Sequence, residues 1–165
     1  NFLKFSGNNS YEVNNLFATI GKNGKHFAYA GHTDVVPVGN ESSWTHPPFS
    51  GRIDGNKLYG RGSEDMKSSV ACFISATKRF IDKYKQFDGQ ISFIITGDEE
   101  RDSVNGTPKI LEWASKNNFK FNHCLVGEPT SKNEVGDKIA TEFRENDLRI
   151  MEHIIWCVNS KGKVI

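Results

Sequence analysis

Several residues that can bind metal ions or move protons come directly after short apolar runs of the sequence. These residues are His32, Glu99, Glu100 and Glu128, and a further acid, Asp65, precedes an amphipathic segment. One imidazole and several carboxylates form a ligand set that suits Zn²⁺ or its first-row neighbours better than the many neutral oxygens of a calcium site. Two metal ions that share one carboxylate would explain why so many acids are present.

Each of these residues alone has a simpler interpretation. A histidine after a strand is most often structural, paired glutamates are usually solvated, and an aspartate before a helix is usually a cap or a dipole partner. Only their joint placement argues for a metal site. The histidines in other runs and loops, His26, His46 and His123, are interpreted as packing or surface residues.

The elements that must position the candidate residues begin with two β-prone runs. Residues 16–20 and 26–30 are separated by a glycine-containing segment, 21–24, and this arrangement predicts a hairpin. Between residues 70 and 84, apolar residues recur at three- and four-residue spacing. This stripe predicts an amphipathic helix that starts near Met66 and packs on a core.

A strand, a helix and another strand are predicted after this helix. Residues 91–96 form a nearly continuous β-branched and aromatic run, which is typical of a strand buried on both faces. Thr107 is the predicted N-cap of a second helix, with Pro108 at its first position, and residues 124–126 predict a buried strand. The alternation indicates an α/β sheet with crossover helices, in which ligands bind at the carboxyl ends of the strands.

Four segments of the chain resemble, in order, the metal-binding motifs of the M20 metallopeptidase family. They are Gly31-His32-Thr33-Asp34-Val35-Val36-Pro37, Leu58-Tyr59-Gly60-Arg61-Gly62-Ser63-Glu64-Asp65-Met66-Lys67, Asp98-Glu99-Glu100 and Val126-Gly127-Glu128-Pro129-Thr130. The wider context is most similar to the succinyl-diaminopimelate desuccinylase branch of this family. The residues that carry this second resemblance are Trp44, Pro48, Phe49, Asp54 and Gly55.

The resemblance implies a three-layer α/β/α zinc-peptidase-like catalytic domain with a mixed, mostly parallel sheet. This domain is expected to be incomplete in the chain, without the lid or dimerisation domain. The resemblance also implies two Zn²⁺ ions per intact subunit, for which Co²⁺ can substitute. We expect residues 1–139 to form a partial metal-binding domain and residues 140–165 to be an atypical tail, interpreted as frameshifted or mispredicted.

The same resemblance assigns a role to each candidate residue. His32 and Glu128 would bind one zinc, Glu100 would bind the other, and Asp65 would bridge both; a carboxylate with two oxygens can span neighbouring metals. Asp34 would orient the His32 ring, as carboxylates behind metal-binding histidines do. Glu99 would be the general base that takes a proton from the attacking water. The last zinc ligand and the substrate-binding residues are expected to lie outside this chain.

The implied activity is hydrolysis of N-succinyl-LL-2,6-diaminopimelate to succinate and LL-2,6-diaminopimelate. Two alternatives remain open at this point. The chain could belong to an acetylornithine deacetylase or another M20 peptidase or deacylase, or it could be a non-catalytic remnant of a broken gene. The expected partner is a small succinylated amino acid, and the intact protein is expected to be a homodimer, whereas the chain alone is expected to be inactive.

The overall composition excludes other classes of partner. Lys and Arg number 21 and Asp and Glu number 20 in the 165 residues, so no nucleic-acid partner is expected. No apolar run approaches the ~20 residues that span a bilayer, so we expect no membrane partner and a cytoplasmic protein. Cys72 and Cys124 lie in apolar runs and are predicted to be reduced core thiols.

Overall fold

The computed structural model describes residues 1–7 and 9–129, together with the backbone of residues 154–156. The described strands are β1 (Phe2–Gly7), β2 (Ser10–Lys22), β3 (His26–His32), β4 (Arg52–Asp54), β5 (Lys57–Tyr59), β6 (Gly89–Thr96), β7 (His123–Val126) and β8 (Ile154–Trp156). The helices are α1 (Ser68–Lys83) and α2 (Thr107–Lys116), with a short 3₁₀ turn at Glu41–Ser43 and a distorted turn at Ser63–Lys67 before α1.

Six strands form one mixed sheet in the order β1-β2-β6-β3-β7-β8, and β4 and β5 form a separate two-stranded sheet. Strands β6, β3, β7 and β8 are parallel to one another, whereas β2 is antiparallel to both β1 and β6. The carboxyl ends of β6, β3 and β7 therefore lie at the same edge of the sheet. This is the edge at which the sequence predicts the candidate residues to converge.

The two helices cover opposite faces of this sheet. Successive side chains of a strand point to opposite faces, and the central strands bury both sets. One face carries Tyr29, Phe93 and Leu125 against Met66 and against Val70 and Phe73 of α1. The other face carries Ala28, Ile94 and Val126 against Ile110, Leu111 and Ala114 of α2. The predicted three-layer α/β/α arrangement is confirmed.

The predicted hairpin between residues 16–20 and 26–30 is wrong. Strand β6 lies between β2 and β3, antiparallel to the first and parallel to the second. The start of β6 passes close to the end of β2, since a Cβ at Gly21 would lie 2.2 Å from the carbonyl oxygen of Gly89. A strand that is apolar on both faces is most stable when it lies between two other strands. Strand β6 therefore pairs with β2 on one side and with β3 on the other.

Helix α1 follows the predicted stripe only in part. Phe73 stacks on Tyr29 with ring centroids 4.4 Å apart, and Thr77 is buried. Ile74 and Tyr84 are 52% and 46% exposed, because a helix lying on one face of a sheet buries a narrower arc than the whole stripe. The prediction of a core thiol is wrong for Cys72, which is exposed, and is confirmed for Cys124, which is buried.

Helix α2 begins one residue earlier than predicted, with Gly106 at the N-cap position and Thr107 as its first residue. Ile110, Leu111 and Ala114 of this helix are buried. Apolar residues from 148 to 158 recur at helical spacing, but the only part of that stretch that the structure describes is a strand, β8. The predicted boundary at residues 139–140 lies outside the described residues. Among the described helices, none is long and apolar enough to cross a membrane.

Candidate metal centre

The ends of three parallel strands bring a histidine and two glutamates to one point. His32 is the last residue of β3, Glu99 follows β6 and Glu128 follows β7. Asp65 comes from the distorted turn before α1, where its backbone leaves the helical conformation. The His32 Nε2 atom lies 3.1 Å from Asp65, 3.4 Å from Glu128 and 3.7 Å from Glu99. The structure thus brings together residues that are far apart in the sequence.

Among the described residues, two groups of side chains have ligand atoms close enough to hold a metal ion. The first is His32, Asp65 and Glu128, and the second is His32, Glu99 and Glu100; within each group the ligand atoms lie within 4.8 Å of one another. An imidazole nitrogen with carboxylate oxygens is a donor set that fits Zn²⁺ or a neighbouring divalent metal. The first group has the composition predicted for one zinc and its bridging carboxylate.

The second group bears on the predicted division between base and ligand. Glu99 and Glu100 both reach His32 within that group, so geometry alone leaves either glutamate able to bind a metal. The Glu99 side chain is 30% exposed and remains open to solvent at the edge of the site. The roles of Glu99 as base and Glu100 as ligand stay predictions.

Asp34 connects the histidine to the acidic pair. Its Oδ2 atom accepts the backbone N–H groups of Glu99 and Glu100 at 3.0 and 2.9 Å. The Nδ1 atom of His32 lies 3.0 Å from the Asp34 carbonyl oxygen and 3.5 Å from its carboxylate Oδ1. Sequence reasoning placed Asp34 behind the ring but missed its contact with the Glu99–Glu100 backbone, for which the sequence carries no local signal.

The crowded acids change the protonation of the site. Burial disfavours the charged form of His32, but the Asp34 carboxylate and then Glu128 outweigh it and raise the pKa of His32 to about 9. Burial raises the pKa of Glu128, and the nearby Asp65 and Glu99 carboxylates raise it further against the attraction of His32. The metal-free site therefore holds protons at neutral pH that a bound cation would displace.

Met66 fills the space beneath the candidate ligands. It is fully buried, and its Sδ atom accepts the backbone N–H of His32 at 3.2 Å. A Cβ added at Gly31 or Gly127 would lie 2.7 or 2.8 Å from the Met66 Cε atom. These two glycines, each next to a candidate ligand, are the sequence signal of this close packing, which sequence reasoning did not use.

Arg61 ties the turn that carries Asp65 to two other loops. Its guanidinium lies 5.0 Å above the ring of Trp44 and donates to the carbonyl oxygen of Pro37 at 3.3 Å. Its backbone N–H donates to the carbonyl oxygen of Pro48 at 2.7 Å. The motif around Asp65 thus contains Arg61, which connects this turn to two other loops, as well as a candidate ligand.

Two of the other histidines have aromatic neighbours. The buried His26 ring packs against Phe121 and hydrogen-bonds Ser92, and His46 meets Tyr59 edge to face. These contacts agree with the interpretation of both as packing residues. His123 is partly buried at the start of β7.

Comparisons with known proteins agree with the fold. Residues 28–158 match the family described as Peptidase family M20/M25/M40. A curated succinyl-diaminopimelate desuccinylase from Hydrogenovibrio crunogenus is 57% identical over 129 residues, which are 78% of this chain and 34% of that protein. The chain thus spans about a third of the length of this relative.

Solved structures are similar over most of the chain. The M20 family metallo-carboxypeptidase Sso-CP2 from Sulfolobus solfataricus has a TM-score of 0.62 and 26% identity, covering 76% of this chain and 28% of its own. Human carnosine dipeptidase 1 has a TM-score of 0.59 and 26% identity, covering 72% and 26%. The di-peptidase Dug1p from Saccharomyces cerevisiae, with a TM-score of 0.65, 21% identity and coverage of 82% and 31%, is similar in fold.

Proposed function

Because the chain belongs to Peptidase family M20/M25/M40, we propose that it is the metal-binding part of a zinc-dependent amidohydrolase. The proposed reaction is hydrolysis of N-succinyl-LL-2,6-diaminopimelate to succinate and LL-2,6-diaminopimelate. The observation that carries the choice of substrate is the 57% identity, over 129 residues, to a curated protein named for this desuccinylation. The neighbouring peptidases are too distant to argue for a peptide substrate with equal force.

The candidate ligands divide between two metal ions in this proposal. His32 and Glu128 hold one Zn²⁺, Glu100 holds the other, and Asp65 bridges them. The grouping of His32, Asp65 and Glu128 within ligating distance supports the first half of this assignment. The distorted backbone at Asp65 also supports its role, because it turns the carboxylate towards His32 before α1 begins. Co²⁺ is expected to substitute for Zn²⁺.

When bound, the metal ions would polarise the scissile carbonyl and lower the pKa of the attacking water. Glu99 takes the proton from that water at a carboxylate oxygen and passes it to the nitrogen of the leaving amine. Its 30% exposure and its place beside His32 support this role, because a base at this edge can meet both water and substrate. Asp34 fixes the backbone from which Glu99 and Glu100 project.

The substrate is a small succinylated amino acid in this proposal, and the intact enzyme is a cytoplasmic homodimer. The chain by itself is expected to bind metal weakly and to turn over substrate negligibly. Only one glutamate and the shared aspartate are assigned to the second metal, and a catalytic zinc usually has three protein ligands.

A chimera tests the proposal directly. The matched 129 residues of the Hydrogenovibrio crunogenus protein are replaced by the corresponding residues of this chain. Zinc content and steady-state hydrolysis are then measured with succinyl-diaminopimelate and with acetylornithine. Turnover of the succinyl substrate is expected, with the Glu99→Gln chimera as the inactive, metal-binding control.

Other outcomes identify the alternatives. A zinc-loaded chimera that prefers acetylornithine would place the chain with acetylornithine deacetylases. A folded chimera that binds no zinc would support a non-catalytic remnant and contradict the proposed function.

A further inference from the structure

The loop that carries Glu99 and Glu100 is held from two sides. On the β3 side, Asp34 accepts the N–H groups of both glutamates. On the other side, the loop meets β2, the antiparallel neighbour of β6. Its contacts with Tyr11 and Asn15 are polar and at least partly buried, and the metal-site assignment does not use them.

Asp98, the residue before the acidic pair, is the centre of these contacts. It is 1% exposed, and each of its carboxylate oxygens accepts a hydrogen bond. The Tyr11 hydroxyl of β2 donates to Oδ1, and the backbone N–H of Asn105 donates to Oδ2 at 3.0 Å. Asp98 thus joins β2 to the far end of the loop. A buried carboxylate is costly without such donors, so this loop conformation depends on both of them.

Asn105 closes the loop onto β2 at its far end. It is fully buried, and its side-chain amide donates to the carbonyl oxygen of Tyr11 at 2.8 Å. Its own carbonyl oxygen accepts the side-chain amide of Asn15 at 3.0 Å. Next to it, a Cβ at Gly106 would lie 2.5 Å from Thr96 Oγ1 and 2.7 Å from the carbonyl oxygen of Asp98. The loop ends are therefore packed tightly against each other and against β2.

We propose that Tyr11, Asp98 and Asn105 are positioning residues that fix the direction in which Glu99 and Glu100 enter the metal centre. The inference rests on the proposed function for the identity of that centre. None of the three residues is proposed to touch metal or substrate. They act through the backbone between residues 98 and 105, which Asp34 holds from the opposite side. Strand β2, which carries none of the metal motifs, thereby becomes part of the catalytic architecture.

Hydrogen exchange on the metal-free, 165-residue chain tests whether the Tyr11 hydrogen bond holds the loop backbone. Tyr11→Phe removes one hydroxyl and no carbon, and it is expected to speed exchange of the Glu99, Glu100 and Asn105 amides roughly 10-fold. Tyr84→Phe is the matched control, since Tyr84 lies 46% exposed at the end of α1. That control should leave these amides unchanged. Unchanged exchange in Tyr11→Phe would overturn the proposal.

Zinc affinity tests whether these loop contacts also affect metal binding. Tyr11→Phe and Asp98→Asn are each expected to weaken Zn²⁺ binding by roughly 10-fold at a temperature where both remain folded. The loss in the double variant should be smaller than the sum of the two single losses, because both changes act on the hydrogen bonds of Asp98. Faster exchange with unchanged affinity would reduce the network to a stabilising role and overturn the proposal.

Failure of the proposed function gives a different pattern. A wild-type chain that binds no Zn²⁺ contradicts the metal centre itself. The exchange comparison between Tyr11→Phe and Tyr84→Phe then still decides whether β2 holds the loop.

Discussion

The Oδ2 atom of Asp34 accepts the backbone N–H of Glu100 at 2.9 Å and that of Glu99 at 3.0 Å. One carboxylate after β3 therefore fixes the start of the loop after β6. The same residue lies against Nδ1 of His32, so the first predicted ligand and the acidic pair share one support. A shift of either strand end would therefore displace both His32 and the acidic pair, because Asp34 contacts both of them.

Substitutions of Asp34 should separate its two contacts. Asp34→Asn keeps an oxygen that can accept the two N–H groups but removes the negative charge beside His32. Asp34→Ala removes both. We expect Zn²⁺ affinity to fall roughly 10-fold in the first variant and roughly 100-fold in the second. Calorimetric titration of the chain with Zn²⁺ measures both, and equal losses would show that only the charge matters.

Glu99→Gln should separate proton transfer from metal binding. The amide keeps the shape of the side chain but cannot accept the proton of the attacking water, so kcat of the chimera should fall by about 10³-fold or more. Zinc content should stay near that of the parent chimera. Glu41→Gln, at an exposed position, is the control for the loss of one carboxylate. Loss of zinc in Glu99→Gln would instead make Glu99 a ligand, which the group with His32 and Glu100 also permits.

Asp65→Ala should show the opposite pattern. Removing the proposed bridge leaves both metal ions short of a ligand, so metal content should fall together with activity. Metal analysis of the purified chimera measures this loss. Retention of two zinc ions per chain would contradict the bridging role.

Gly127→Ala should displace Glu128. A Cβ at this position would lie 2.2 Å from both Tyr29 Oη and Ser69 Oγ, which hydrogen-bond each other at 2.9 Å. We expect the free energy of unfolding to fall by about 1–3 kcal/mol, with weaker Zn²⁺ binding. Thermal unfolding and zinc titration measure the two effects.

A rescue variant identifies the clash as the cause of that loss. Tyr29→Phe and Ser69→Ala together remove both oxygens that the new Cβ would meet. Combined with Gly127→Ala, they should recover part of the lost zinc affinity. Recovery would be absent if the glycine were needed only for its backbone freedom.

How much of the site the sequence predicts depends on how local each signal is. His32 and Glu128 follow apolar strands and lie within family-like motifs, so their meeting at the sheet edge follows from parallel pairing. The strand order does not follow in this way. A turn at residues 21–24 looks like a hairpin, and only the burial of β6 on both faces inserts it between β2 and β3.

The supports of the site were harder to predict than its ligands. Met66 under His32, Asp34 on the Glu100 backbone and Tyr11 on Asp98 are contacts between segments 34 to 87 residues apart. Neither periodicity nor motif spacing encodes such contacts, because they depend on how the loops pack after the sheet has formed. Cys72 shows the same limit, since an apolar stripe does not reveal how wide an arc of α1 the sheet covers.

The protonation of the metal-free site predicts two opposite dependences on pH. His32 has a pKa of about 9 in the folded chain, above the value near 6.5 of an unperturbed histidine. The folded chain thus binds this proton more tightly than the unfolded chain does, and Glu128, whose pKa is also raised, acts in the same direction. The stabilisation from His32 is complete below about pH 6.5 and is lost as the pH rises through about 9, whereas that from Glu128 is lost as the pH rises through about 8.

The free energy of unfolding of the metal-free chain should therefore fall by roughly 1–2 kcal/mol between pH 6.5 and 9. Zinc must displace the same protons, so its affinity should rise over this range by up to about 10-fold per pH unit for each proton released. Urea unfolding with a chelator, and zinc titration in matched buffers, measure the two trends. His46→Gln, which removes a ring packed against Tyr59, should keep both slopes, whereas His32→Gln should reduce the stability slope to the part that Glu128 contributes. A zinc affinity that is constant from pH 6.5 to 9 would mean that His32 is already neutral before the metal binds.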